Sequence, residues 1–129
     1  MRSKYEKRIA SELDALGVKY EYESHSYNYF IKVPNAKCED CGGNSYRQGY
    51  YTPDFFLSNG VIVETKGRFT AQDRAKMVAV KELHPDLDLR LLFMRDNKLS
   101  KWSKTRYSTW AVANGFSYTI GSIPEDWTK

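Results

Sequence analysis

Residues 50–68 read YYTPDFFLSNGVIVETKGR, two apolar runs joined by Ser58-Asn59-Gly60. An Asn-Gly pair between β-rich runs is the strongest short-range hairpin signal a sequence carries. The chain is therefore expected to be built around an antiparallel ribbon here. Packing alone would fill both strands with residues such as Val and Ile, yet Asp54, Glu64 and Lys66 interrupt them. Charges in such strands need a partner or a task.

The turn decides which face each charge takes. A two-residue Asn59-Gly60 turn would set Phe55 across from Glu64 and send Asp54 to the other side, because side chains alternate with period two. A three-residue Ser58-Asn59-Gly60 loop, with Gly60 in the left-handed position of a bulge, instead sets Asp54 across from Glu64. We adopt the second register. Opposed Cβ atoms lie roughly 5 Å apart, so the two carboxylates converge, and Lys66 shares their face. Such acids repel unless a cation lies between them. Mg²⁺ (or Mn²⁺) suits the place, since a hard divalent ion takes carboxylate oxygens and keeps waters for chemistry. Glu-x-Lys alone is common on exposed strands. Pro53-Asp54 across a hairpin from Glu64-Thr65-Lys66, with apolar flanks on both strands, is the combination that points to catalysis.

At 129 residues the chain is expected to form one domain, 1–129. No apolar run approaches the length of a membrane span or signal sequence, so no membrane association and a cytosolic location are expected. Twenty Lys and Arg against sixteen Asp and Glu give a net charge of +4. Acids held by a metal would leave the outer surface more basic still, which favours a polyanionic partner.

From the N-terminus, Ser3 to Leu16 predicts a helix capped by Ser3, with Glu6 placed for a capping box and Gly17 as its stop. Ile9, Ala10, Leu13 and Leu16 form the apolar stripe, and Glu6 rides on that stripe. Val18 to Glu23 and Tyr27 to Val33 read as strands, with His25 a polar turn residue between them. Residues 34–49 form an irregular segment. Thr70 opens a second helix with Ala75, Val78, Ala79 and Leu83 on its apolar face, ended by His84-Pro85. The run from Leu87 to Met94 suits a strand buried on both faces. Strand, helix, strand in this order predicts a parallel crossover, so the hairpin joins a mixed sheet. A short helix over Ser108 to Asn114, a last strand over Phe116 to Ile120 and a packed tail at Ile123 to Trp127 complete the reading.

Pro53-Asp54 with Glu64-Thr65-Lys66 resembles the signature of the PD-(D/E)xK nuclease superfamily. The wider chain is similar to one branch, the phage endonuclease I family of Holliday junction resolvases. The likeness runs through residues 17–23, 51–67, 84–90 and 123–127 and departs at residues 34–49 and at both ends, where the expected basic extensions are absent. It implies an α/β fold with a restriction-endonuclease-like core, in a domain-swapped homodimer. It also implies a phage protein acting in the host cytoplasm on four-way and other branched double-stranded DNA. On that likeness Glu6, from the first helix, joins Asp54, Glu64 and Lys66 as catalytic. Asp54, Glu64, Glu6 and the backbone carbonyl of Thr65 would hold Mg²⁺, while Lys66 orients or helps deprotonate the attacking water.

Two stretches remain open. Cys38-Glu39-Asp40-Cys41 resembles half of a zinc knuckle, and a tetrahedral structural site needs four ligands. In the intertwined dimer that the resemblance implies, two chains would bring four thiolates to one shared Zn²⁺; the alternatives are free thiols or a weak site using His25. Lys98, Lys101, Lys104 and Arg106, interleaved with Trp102 and Tyr107, suit DNA contacts through phosphates and stacking, or equally a solvated basic loop. Substrate choice is not written in these residues. The rivals are a mismatch-nicking or restriction-type endonuclease on the same core, and a non-catalytic, zinc-bridged DNA-binding module.

Overall fold

The computed structural model describes residues 3–37 and 44–129. Five strands form a mixed sheet in the order β1-β4-β5-β6-β7, comprising β1 (Tyr20–Tyr22), β4 (Phe55–Leu57), β5 (Val61–Lys66), β6 (Asp88–Phe93) and β7 (Ser117–Ile120). The first two pairings are antiparallel and the last two parallel. Two further strands, β2 (Tyr27–Lys37) and β3 (Asn44–Tyr51), pair antiparallel as a separate ribbon. Helices α1 (Lys4–Ala15), α2 (Ala71–Leu83) and α3 (Tyr107–Ala113) complete the fold with a 3₁₀ turn at Glu125–Thr128.

The alternation of β5 and β6 divides the core between the two sheet faces. Val61, Val63 and Leu92 pack with Ile9, Ala10 and Leu13 of α1. Ile62, Leu91 and Phe93 pack with Met77 and Val80 of α2, Ala111 of α3, and Tyr29 and Tyr51 of the ribbon. Leu91, Leu92 and Phe93 are fully buried, as a strand covered on both faces requires. Ile123 and Trp127 close the α1 side, so the C-terminal tail is part of the core.

The hairpin register is set as the three-residue loop predicts. Phe55 pairs with Val63 and Phe56 with Ile62, Gly60 stands at φ +94°, and its amide bonds the Leu57 carbonyl at 3.0 Å. Helix α2 begins on a full capping box. Thr70 Oγ1 accepts from the Asp73 amide at 3.2 Å, while the Asp73 carboxylate accepts from the Thr70 amide at 3.1 Å. Thr70→Ala, by removing one half of this exchange, should cost about 1 kcal/mol of stability in urea melts.

Two expectations are corrected. The segment at 34–49 is less irregular than its composition implies, because β2 continues to Lys37 and β3 resumes at Asn44. The ladder shifts register between Lys32 and Lys37, around Pro34, which has no N–H to donate to a regular ladder. Gly49 serves this ribbon by lying under the ring of its cross-strand partner Tyr29, where a Cβ would collide. Cys38 and Cys41 lie outside the described residues. In α2 the buried residues are Met77 and Val80, whereas Ala75 and Leu83 are exposed. The helix is thus rotated so that Met77 and Val80 join Phe69 and Phe93 in the core, with Ala79 packed against that cluster.

Candidate active site

Asp54 lies just before β4, one step beyond the Phe55–Val63 pair and therefore in register with Glu64. Its Oδ2 accepts from the Thr65 amide at 2.9 Å and from the Thr65 hydroxyl at 2.7 Å. Two donors on one oxygen fix the carboxylate against the end of β5. Thr65, whose carbonyl the family resemblance implies as a metal ligand, holds Asp54 through its amide and side chain.

Glu6 reaches the same place from the first turn of α1. The Ser3 hydroxyl accepts from the Glu6 amide at 3.0 Å, and the carboxylate of Glu6, a residue only 9% exposed, accepts from the Tyr22 hydroxyl. Glu6 therefore faces inward, as its position on the apolar stripe predicts.

A third acid was not legible in the sequence. Strict alternation along β1 would send Glu23 outward with Glu21, which is exposed and pairs with His25 at 3.6 Å. Glu23 is instead the one non-glycine at positive φ among the described residues, at 49°. A left-handed backbone costs an ordinary residue on the order of 1 kcal/mol or more, and such outliers cluster at functional sites. The Glu23 amide bonds the Asp54 carbonyl at 3.0 Å, one step beyond the Tyr22–Phe55 pair. Carboxylate oxygens of Glu6, Glu23 and Asp54 all come within 4.8 Å of one another. The available signal was the antiparallel β1–β4 pairing, which sets residue 23 across from residue 54.

Glu64 and Lys66 stand beside this group, held by other partners. Glu64 Oε2 accepts from the Tyr51 hydroxyl at 2.5 Å, and its Oε1 lies 3.3 Å from Lys66 Nζ. Lys66 Nζ also lies 3.5 Å from Asp73 Oδ1. The capping acid of α2 thereby ties the helix terminus to the lysine. Burial, helped by the Asp54 charge and opposed by Lys66 and Tyr51, raises Glu64 from 4.5 to about 7. Burial also raises Asp54, outweighing its hydrogen bonds from Thr65, and Glu6 adds to the rise. For Lys66 burial works downward, but the attraction of Glu64 and Asp73 prevails and its pKa is raised. Lys66 is therefore an ammonium at neutral pH.

Asp54 and Glu64, desolvated acids whose pKa values burial raises, meet the condition that a bound cation relieves, and Asp54 shares its place with Glu6 and Glu23. All the donors are hard oxygens, which suits Mg²⁺ or Mn²⁺ rather than a thiophilic metal. The family model described as phage endonuclease I matches residues 1–129. This chain belongs to the phage endonuclease I family. It is 36% identical to Endonuclease I of Escherichia phage T7 over 129 residues, 99% of this chain and 78% of that relative. It is 35% identical to Endodeoxyribonuclease 1 of Enterobacteria phage T3 over 124 residues, 95% of this chain and 73% of that relative. Within this family member, Lys98, Lys101, Lys104 and Arg106 are exposed along the segment that follows β6. Tyr107, offered above as a stacking residue, is buried and accepts from the Phe69 amide at 3.1 Å, so it belongs to the core. No helix among the described residues is long and apolar enough to cross a membrane.

Proposed function

We propose that the chain is a structure-selective DNA endonuclease that hydrolyses phosphodiester bonds with Mg²⁺ or Mn²⁺ and resolves four-way junctions and other branched DNA. The observation that carries this reading is the meeting of Glu6, Glu23 and Asp54 beside the Glu64–Lys66 pair. Glu6, Glu23 and Asp54 would hold one divalent ion, and Asp54 with Glu64 and the Thr65 carbonyl a second. The ions, when bound, lower the pKa of water and neutralise charge on the scissile phosphate. Thr65 keeps Asp54 aimed, and Tyr51 and Lys66 do the same for Glu64. Lys66, charged at neutral pH and anchored by Asp73, serves as a fixed cation for the charge that develops on the phosphoryl oxygens. Its raised pKa argues against a role as base.

A four-way junction has two strands to cut, related by approximate two-fold symmetry. The described residues of one chain carry one such acid group, so paired nicks call for a homodimer whose axis coincides with that of the substrate. A Zn²⁺ shared through Cys38 and Cys41 of two chains would strengthen that assembly. The reading is tested with a labelled four-way junction and a matched linear duplex, each with Mg²⁺ and with EDTA. Paired symmetric nicks in the junction that require Mg²⁺ and ignore its sequence are expected. Cutting of the linear duplex at a fixed site would favour the restriction-type rival, and binding without cleavage the non-catalytic module.

A further inference from the structure

We infer that Trp102 is a stacking platform for a base whose face is open, and so biases the enzyme toward DNA in which helical stacking is interrupted. The inference rests on the DNA endonuclease reading above and adds what the protein senses in its substrate.

Trp102 is 86% exposed, more than any other large apolar residue described. Leaving an indole in water is unfavourable, and here the chain does so on an ordered support. Lys98 and Arg106 form an antiparallel bridge, with Leu99 bonding the Thr105 carbonyl at 2.8 Å and Tyr107 bonding the Asn97 carbonyl at 2.9 Å. A turn over Ser100–Ser103, closed at 3.2 Å, places Lys101 and Trp102 at the tip. At the base, the Asp96 carboxylate accepts from the Ser108 amide at 2.9 Å and the Ser108 hydroxyl at 2.6 Å, and Leu99 packs on the core. The tip is a miniature hairpin pinned to α3.

Its chemistry fits nucleic acid. Lys101 Nζ lies 5.2 Å from the Trp102 ring centre, and Lys98, Lys104 and Arg106 are exposed along the same hairpin. A flat π surface among cations is what single-stranded or unstacked nucleic acid engages, through base stacking and phosphate contact together. Location agrees with this. The Met94 amide bonds the Lys66 carbonyl at 2.9 Å, so the hairpin leaves the sheet beside the catalytic strand. Trp102 lies eight positions beyond Met94, a reach of at most roughly 26 Å. That spans fewer than about eight base pairs at 3.4 Å each. In a matched duplex both faces of every internal base are covered, whereas a branch, mismatch or unpaired nucleotide offers one.

The test measures binding in EDTA, so it does not depend on cleavage. The probes are a four-way junction, a matched linear duplex, and that duplex with one unpaired base. Trp102→Ala should weaken binding to the junction and to the unpaired-base duplex by about 5- to 150-fold, the range for losing one stacked base. Matched duplex should change less than about twofold, and the salt slope should stay fixed because no phosphate contact is removed. Trp102→Phe should restore part of the affinity, and the fluorescence lost in that variant should be the part quenched by the junction. Lys104→Ala should instead reduce the salt slope on all three probes. Unchanged junction affinity in Trp102→Ala, or an equal loss on all three DNAs, would overturn the stacking role while leaving the nuclease reading intact. A wild-type protein that binds none of the three would overturn both.

Discussion

Lys66→Ala is expected to lower junction cleavage by at least about 10³-fold while junction binding survives. Removing one fixed charge donor from a water-poor reaction site costs on the order of 10²- to 10³-fold in rate. Lys66 also holds Glu64 Oε1 in place, so its loss removes two contributions together. The substitution should spare the fold for a reason the geometry supplies. A buried acid that loses its cation is normally very destabilising, but Glu64 already titrates near 7 and keeps its Tyr51 donor, so it can accept a proton instead. Asp73 retains its Thr70 contacts and stays in its cap. Glu64→Ala should abolish turnover equally, with Asp54 still fixed by Thr65. Measured single-turnover rates beside binding isotherms decide the matter. Either variant cutting at near wild-type speed would remove these residues from the chemistry.

The parts of this site that were legible share a property: each declares itself within a short span of chain. The Ser58-Asn59-Gly60 loop fixes the register of Asp54 and Glu64 locally, and the capping box of Thr70 and Asp73 sets the start of α2. The near-continuous apolar run at residues 87–94 suits a strand covered on both faces, and β6 is buried from Leu91 to Phe93. What stayed hidden depends on contacts between distant elements. Glu23 looks solvent-facing because alternation is a property of regular backbone, and its left-handed residue breaks the rule. Tyr51 reads as one more aromatic before Pro53, and only the folded ribbon brings its hydroxyl to Glu64. Asp73 reads as a cap and nothing more until Lys66 is found across from it. Strand β3 was masked by its mixture of Tyr, Arg, Gln and Gly, which has no apolar alternation, since the ribbon buries one face only in part.

Without a divalent ion, the protein should become less stable as pH rises from 5 to 8, the reverse of what most carboxylates produce in an acid titration. The sign follows from Glu64. Its folded pKa of about 7 lies above the ordinary 4.5, so between these values the native state binds the extra proton. Stability from this group is fully present below about 4.5 and is lost as pH passes through 7. A shift of this size corresponds to on the order of 3 kcal/mol across the window. Asp54, also raised by burial, acts in the same direction, whereas Asp73, lowered chiefly by Lys66 against its own burial, exerts its opposing effect below this range. Denaturant melts in EDTA at stepped pH would read the slope, and Glu64→Gln should flatten most of it. Mg²⁺ should return the stability at pH 8 and do little at pH 5, because a cation binds the deprotonated acids and competes with their protons. A flat profile in EDTA, or one that Glu64→Gln leaves steep, would mean that the acids are not held at close quarters in a dry site. The case for a cation among them would then lose its electrostatic basis.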